Sequence, residues 1–122
     1  MKKILVADDT ADILHHLQEF LLMEGFEVVT AANGKEALVH LQSAIPDLII
    51  TDLLMPEMTG MELIKELKRD ERLSRIPILV FSARPLDETL SLEDLGADCF
   101  VLKPGHVDIL LKHIDELLNR KR

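Results

Sequence analysis

Five short apolar runs punctuate the chain, and longer stretches whose apolar positions recur every three to four residues follow them. Ile4-Leu5-Val6-Ala7, Glu27-Val28-Val29-Thr30-Ala31, Asp47-Leu48-Ile49-Ile50-Thr51, Pro77-Ile78-Leu79-Val80-Phe81 and Cys99-Phe100-Val101-Leu102 read as strands. Ile13, Leu17, Phe20 and Leu21 mark a first helix that stops at Gly25. Asn33-Gly34 opens a second, which carries Ala37, Leu38 and Leu41 and is closed by Pro46. Leu63, Ile64 and Leu67 share one face of a third. A weaker acidic helix is expected from about Asp87 to Leu95, ending at Gly96, and a last one from about His106 to the end. On that last helix Val107, Leu111, Ile114 and Leu118 are expected to form the core stripe, flanked by Leu110 and Leu117.

Strands this short and this apolar belong in a sheet covered by helices on both faces. Their alternation with helices predicts one α/β domain over residues 1–122, with a five-stranded parallel sheet, five helices and right-handed crossovers. A length of 122 residues suits a single core, and 48% apolar residues exclude wholesale disorder. Acidic residues number 22 against 14 basic ones, a net charge of −8. That surface repels phosphate backbones and anionic lipid, so no direct nucleic-acid or membrane contact is expected. The single cysteine, Cys99, excludes an internal disulfide and a multi-cysteine zinc site. No apolar run approaches the roughly 20 residues that span a bilayer. The basic-then-apolar start is too short for a signal peptide and runs at once into two aspartates, so a cytoplasmic location is expected.

In an open parallel sheet, ligands bind beyond the carboxyl ends of the strands. Here those ends carry Asp8-Asp9, Asp52, Ser82 and Lys103-Pro104. Three carboxylates, a hydroxyl and an ammonium therefore converge on one crevice. Crowded carboxylates repel one another, and a hard oxygen-seeking cation such as Mg²⁺ relieves that conflict. A carboxylate can also act as a nucleophile and form an aspartyl-phosphate. Such transfer needs chiefly positioning and charge neutralisation, which Mg²⁺, Lys103 and Ser82 are suited to provide. Plainer readings stand beside this one. Asp8 and Asp9 suit a helix cap, and Ser82 a turn. Met55 and Met58 suit loop packing, and Cys99 an inert core. The five histidines read as surface or boundary residues. Adjacent His15 and His16 point about 100° apart and cannot chelate together.

The segments Ile4-Leu5-Val6-Ala7-Asp8-Asp9, Thr51-Asp52-Leu53-Leu54-Met55-Pro56 with Met58-Thr59-Gly60, Val80-Phe81-Ser82-Ala83, Gly96-Ala97-Asp98 and Phe100-Val101-Leu102-Lys103-Pro104 occur in this order along the chain. Together they resemble the receiver domain of two-component response regulators, of the chemotaxis-regulator type, over essentially the whole sequence. The resemblance implies a flavodoxin-like doubly wound sheet of order 2-1-3-4-5 and a cis Lys103-Pro104 peptide. It implies that Asp52 is the phosphoacceptor. It also implies that Asp9, Asp52 and the Leu54 carbonyl bind Mg²⁺, with Asp8 acting mainly through water. Lys103 would pair with the phosphoryl group, the Ser82 hydroxyl would turn toward it, and Phe100 would be the switch aromatic. Leu54 and Arg84 occupy the positions that tune phosphoryl lifetime, and Leu54, unable to hydrogen-bond water, is expected to slow self-dephosphorylation.

The same resemblance implies a signalling phosphoacceptor rather than a turnover enzyme. Its partners would be a histidine kinase or histidine phosphotransfer protein and a downstream protein or output domain of unknown identity. Leu14 lies where the family docks its donor, and Ile109 on the surface formed by the fourth helix, fifth strand and fifth helix. A monomer or a phosphorylation-dependent dimer is expected, either stand-alone or part of a longer regulator. An aspartate-based phosphatase of the haloacid dehalogenase type would carry its nucleophile after the first strand in an Asp-x-Asp pattern. A flavodoxin-like cofactor binder fits poorly, since Trp, Tyr and a Gly-rich loop after the first strand are missing. The acidic, hydroxyl and lysine positions weigh against a degenerate receiver.

Overall fold

Each apolar run becomes a strand: β1 (Lys3–Ala7), β2 (Glu27–Ala31), β3 (Leu48–Thr51), β4 (Ile78–Ser82) and β5 (Cys99–Leu102). The computed structural model describes residues 1–86 and 91–119. All strand pairs are parallel, in the order β2-β1-β3-β4-β5. The connecting helices are α1 (Ala11–Met23), α2 (Gly34–Ser43), α3 (Gly60–Arg69), α4 (Leu92–Leu95) and α5 (Val107–Leu118).

Side chains alternate between the two sheet faces, and both faces are apolar because both are covered. Leu5, Ala7, Ile49, Ile78 and Val80 pack with Leu41 of α2, Leu63, Ile64 and Leu67 of α3, and Leu95 of α4. Ile4, Val6, Ile50, Leu79 and Phe81 pack with Leu17 and Leu21 of α1 and with Leu110, Ile114 and Leu117 of α5. This is the doubly wound arrangement, and it delivers every strand's carboxyl end to one edge.

Local signals set the helix ends. The Asn33 side chain accepts the Glu36 N–H at 2.8 Å and caps α2. Thr59 and Glu62 form a reciprocal capping box on α3. The Thr59 N–H and hydroxyl donate to the Glu62 carboxylate and hold its pKa below the ordinary glutamate value. Thr59→Ala is expected to lower the unfolding free energy by about 1 kcal/mol in a urea titration. Unchanged stability would show that the box adds nothing. Asp98 ties the start of β5 to β4: its carboxylate accepts the Ile78 N–H and its own N–H donates to the Ile78 carbonyl, both at 2.8 Å.

One face assignment differs from the sequence expectation. The buried stripe of α5 is Leu110, Ile114 and Leu117, while Leu111 and Leu118 are half-buried and Val107 is 46% exposed. Val107 lies on the first turn, beyond the end of β5. There it lines an open apolar hollow with Ile13, Leu17, Phe81 and Pro104. The described part of α4 is one turn, Leu92–Leu95, capped by Ser91 at the Asp94 N–H. The remainder expected for it, residues 87–90, lies outside the described residues, as do residues 120–122 at the expected end of the last helix. Among the described residues no helix is long and apolar enough to cross a membrane.

Candidate functional site

Backbone bonds carry the strand pairing one residue past the strands and so fix the residues that follow them. The Asp8 N–H donates to the Ala31 carbonyl, the Asp52 N–H to Ala7, and the Lys103 N–H to Ser82, at 3.0, 2.9 and 2.9 Å. Asp8, Asp9, Asp52, Ser82 and Lys103 are thereby placed along one edge of the sheet. The carboxylate oxygens offered by Asp8, Asp9 and Asp52 lie within 4.8 Å of one another, the one such acidic group among the described residues.

The two inner carboxylates are buried and fully engaged. Asp8, 2% exposed, accepts the Thr10 N–H through Oδ1 at 2.9 Å and the Lys103 ammonium through Oδ2 at 2.6 Å. Asp52, 9% exposed, accepts the Leu53 N–H through Oδ1 at 2.7 Å and Lys103 through Oδ2 at 2.8 Å. Asp9 is exposed at the mouth of the site. Burial by itself pulls the Lys103 pKa down, but the hydrogen bonds and charges of Asp52 and Asp8 outweigh it and hold the pKa above the ordinary lysine value. The ammonium also sits 5.5 Å from the centre of the Phe81 ring, within cation–π range. The Lys103-Pro104 peptide is cis.

The other expected residues lie in different surroundings. Ser82 is 2% exposed, and its Oγ accepts the Arg84 N–H at 3.2 Å. Arg84 is half-buried, and Leu54, two residues after Asp52, is 56% exposed. Phe100 pairs with Val80 in the sheet and lies half-buried against the α2–α3–α4 core. Leu14 is half-buried against the α1–α5 core, and Ile109 is 49% exposed.

The donor set suits a hard cation. Its side-chain ligands are all carboxylate oxygens, one of them solvent-facing, with neither histidine nor cysteine in the cluster. Asp8 and Asp52 each have both oxygens engaged, so either would exchange its Lys103 contact to meet an ion directly, whereas Asp9 faces solvent.

No histidine belongs to the acidic cluster, although His16 lines the hollow that also includes Lys103 and Pro104. His15 and His16 are exposed with rings 6.3 Å apart, and His15 contacts Glu19 at 3.0 Å. Cys99 is half-buried, and burial first, then the charges of Glu116 and Asp98, push its thiol pKa up. Met55 is buried and Met58 half-buried against the core, as loop packing requires.

Two residues shape the site without having been singled out from sequence. Gly60, read only as part of a motif, packs its Cα against the phosphoacceptor-candidate loop. Its N–H donates to the Leu53 carbonyl at 2.9 Å, and a Cβ there would lie 1.8 Å from the Asp52 carbonyl oxygen. Thr51 is fully buried, and its hydroxyl donates to that same Asp52 carbonyl at 2.8 Å. The Met58-Thr59-Gly60 spacing after Asp52 was the available signal for the first. In the sequence Thr51 reads only as the end of the third strand and the start of the Asp52 segment, with no role attached to its hydroxyl. Between them the loop makes a tight turn, with Glu57 at φ +70° and the Met58 N–H donating to the Pro56 carbonyl at 2.7 Å.

The family model for the response regulator receiver domain matches residues 4–115. A similar curated relative is the alkaline phosphatase synthesis transcriptional regulatory protein PhoP of Bacillus subtilis. It is 40% identical over 103 residues, covering 84% of this chain and 42% of that protein. The chain spans about half the length of the curated relatives it matches, between 42% and 53% of those first found. Among solved structures, the receiver domain of a signal transduction histidine kinase from Syntrophus aciditrophicus superposes with a TM-score of 0.90 at 33% identity, covering 100% of this chain and 96% of that one. The response regulator TrrA of Thermotoga maritima, in complex with Mg²⁺ and BeF, superposes with a TM-score of 0.85 at 35% identity, covering 96% and 99%.

Proposed function

The chain belongs to the response regulator receiver domain family of phosphorylation-dependent signalling proteins, and from that premise we propose that Asp52 is its phosphoacceptor in a two-component pathway. The observation that carries this reading is the Lys103 ammonium held at 2.6 and 2.8 Å between Asp8 and Asp52 on the carboxyl edge of the sheet. A carboxylate oxygen of Asp52 attacks the phosphorus of a phosphohistidine on a histidine kinase or phosphotransfer protein. The P–O bond forms as the P–N bond breaks, and the electron pair leaves with the imidazole. Lys103 releases Asp52 and follows the negative charge onto the transferred group. The Ser82 hydroxyl, which accepts only the Arg84 N–H among the described residues, is free to turn and donate to a phosphoryl oxygen. Its movement makes room for Phe100, half-buried one strand away, to pack inward and alter the surface of α4, β5 and α5.

Asp9, Asp52 and the Leu54 carbonyl would hold Mg²⁺, with Asp8 engaging it through water. When bound, the ion neutralises the carboxylate cluster and the charge on the phosphoryl oxygens. Residues 1–122 form one receiver domain in this reading, acting in the cytoplasm as a phosphoacceptor rather than a turnover enzyme. Leu14 on α1 serves donor docking in this reading, and exposed Ile109 serves a downstream protein, an output domain or a phosphorylation-dependent dimer.

Intact mass after incubation with acetyl phosphate tests the reading. One phosphoryl group gained only in the presence of Mg²⁺ supports it, and turnover of a phosphomonoester without a covalent adduct would overturn it. Leu54 and Arg84 flank the phosphoryl site in this reading, and the Leu54 side chain offers water no hydrogen bond. Leu54→Asn is therefore expected to shorten the phosphoryl lifetime several-fold after donor removal. An unchanged lifetime would remove Leu54 from that role.

A further inference from the structure

We propose that Thr51 is a positioning residue for phosphoryl transfer, its buried hydroxyl fixing the Asp52–Leu53 peptide that aims the Asp52 carboxylate. The inference rests on the reading of Asp52 as the phosphoacceptor.

That peptide is gripped at both ends. Its carbonyl oxygen, on Asp52, accepts the Thr51 hydroxyl at 2.8 Å, and its N–H, on Leu53, donates to Asp52 Oδ1 at 2.7 Å. The nucleophile therefore receives a hydrogen bond from the peptide that follows it. Rotation of this peptide about its flanking bonds would turn the N–H away from Oδ1 and leave Lys103 as the sole hold on the carboxylate. Gly60 stands so close to the same carbonyl that a Cβ would lie 1.8 Å from it, so one direction of rotation is sterically closed. Thr51 closes the other by hydrogen bonding. No other described donor meets this carbonyl. Thr51 is 0% exposed, so water cannot substitute for the hydroxyl. Thr51 touches neither the donor nor the phosphoryl group and acts only through this peptide. A nucleophile held to one orientation reacts far faster than one that must be found among several.

The test compares Thr51→Val, which keeps the branched shape and loses the hydroxyl, with Thr51→Ser, which keeps the hydroxyl. The first readout is the Leu53 amide proton by NMR in the unphosphorylated protein. A short bond to a carboxylate places it downfield. It is expected to move upfield in Thr51→Val and to stay in Thr51→Ser. The second is phosphorylation by acetyl phosphate with Mg²⁺. The maximal rate is expected to fall at least about tenfold in Thr51→Val, with the half-saturating donor concentration unchanged, and to be retained in Thr51→Ser. A Leu53 amide that does not respond to loss of the hydroxyl overturns the inference. So does a Thr51→Val rate equal to wild type, or a Thr51→Ser rate as low as that of valine. If the wild type itself takes no phosphoryl group while the amide responds as described, it is the phosphoacceptor reading that fails. The carboxylate positioning is then sustained by the amide alone.

Discussion

Asp52→Asn is expected to take up no phosphoryl group at any acetyl phosphate or Mg²⁺ concentration while remaining folded. The amide oxygen has the same shape as the carboxylate oxygen and still accepts the Leu53 N–H, while the amide NH2 replaces Oδ2 and turns Lys103 toward Asp8. It carries no charge and is not a competent nucleophile toward phosphorus. Stability should barely change, because opposed terms cancel. At an effective dielectric near 20, losing the contact with Lys103 costs about 6 kcal/mol, and relieving two repulsions across the cluster returns about 3.5 kcal/mol each. Lys103 keeps Asp8 as its partner at 2.6 Å. The expected pair of results is therefore complete loss of the adduct by intact mass and an unfolding free energy within about 1 kcal/mol of wild type. A residual adduct formed at the wild-type rate would move the acceptor to Asp8 or Asp9. An unfolded variant would make Asp52 a structural residue instead.

The elements that could be read from sequence are those whose signals are local. β1, β3 and β4 are apolar runs because both sheet faces are buried, and Asn33 and the glycines at positions 25 and 96 punctuate the helices as their chemistry demands. The site was legible for the same reason: a parallel sheet must bring strand ends together, so Asp8, Asp9, Asp52, Ser82 and Lys103 meet wherever the strands are correctly placed. What was illegible depends on geometry between elements. On α5 two stripes share Ile114, and they differ by about 60° of rotation around the helix axis. Periodicity alone does not choose between them. The turn through Lys103, Pro104 and Gly105 delivers the helix with Val107 beyond the sheet, which selects the stripe of Leu110 and Leu117. Gly60 and Thr51 are of the same kind. Their importance lies in contact with the Asp52 carbonyl, and no spacing rule reports where a carbonyl points. The sharing of Lys103 between two carboxylates is likewise visible only once the edge is assembled.

Lys103→Ala is expected to damage both stability and chemistry, and Mg²⁺ should separate the two effects. The Lys103, Asp8 and Asp52 side chains are only 10%, 2% and 12% exposed. Removing the ammonium leaves two buried carboxylates facing each other with no counter-charge. Breaking a buried pair in this way costs about 3–5 kcal/mol. Without divalent ions the variant should therefore unfold at markedly lower urea than wild type. In the proposed reading Mg²⁺ would bind the native cluster and not the unfolded chain. At 100 times its dissociation constant it should return about 2.7 kcal/mol. The chemistry should not recover in step. Mg²⁺ can neutralise the carboxylates but cannot also provide the donor that follows the phosphoryl oxygens, so phosphorylation should stay about 100-fold slow even when stability is restored. The pH dependence of the wild type gives a further check. The folded pKa of Lys103 is raised, so its contribution is fully present below the unfolded lysine value, near 10.4, and is lost only as pH rises through the higher folded value. The stability difference between wild type and variant in metal-free buffer should thus be insensitive to lysine titration between about pH 7 and 9. Equal metal-free stability of the two proteins would mean that Lys103 does not restrain the carboxylate cluster, and no Mg²⁺ rescue of the variant would mean that the cluster does not bind the ion. Full recovery of the phosphorylation rate with Mg²⁺ would confine Lys103 to that restraint and remove it from the transfer step.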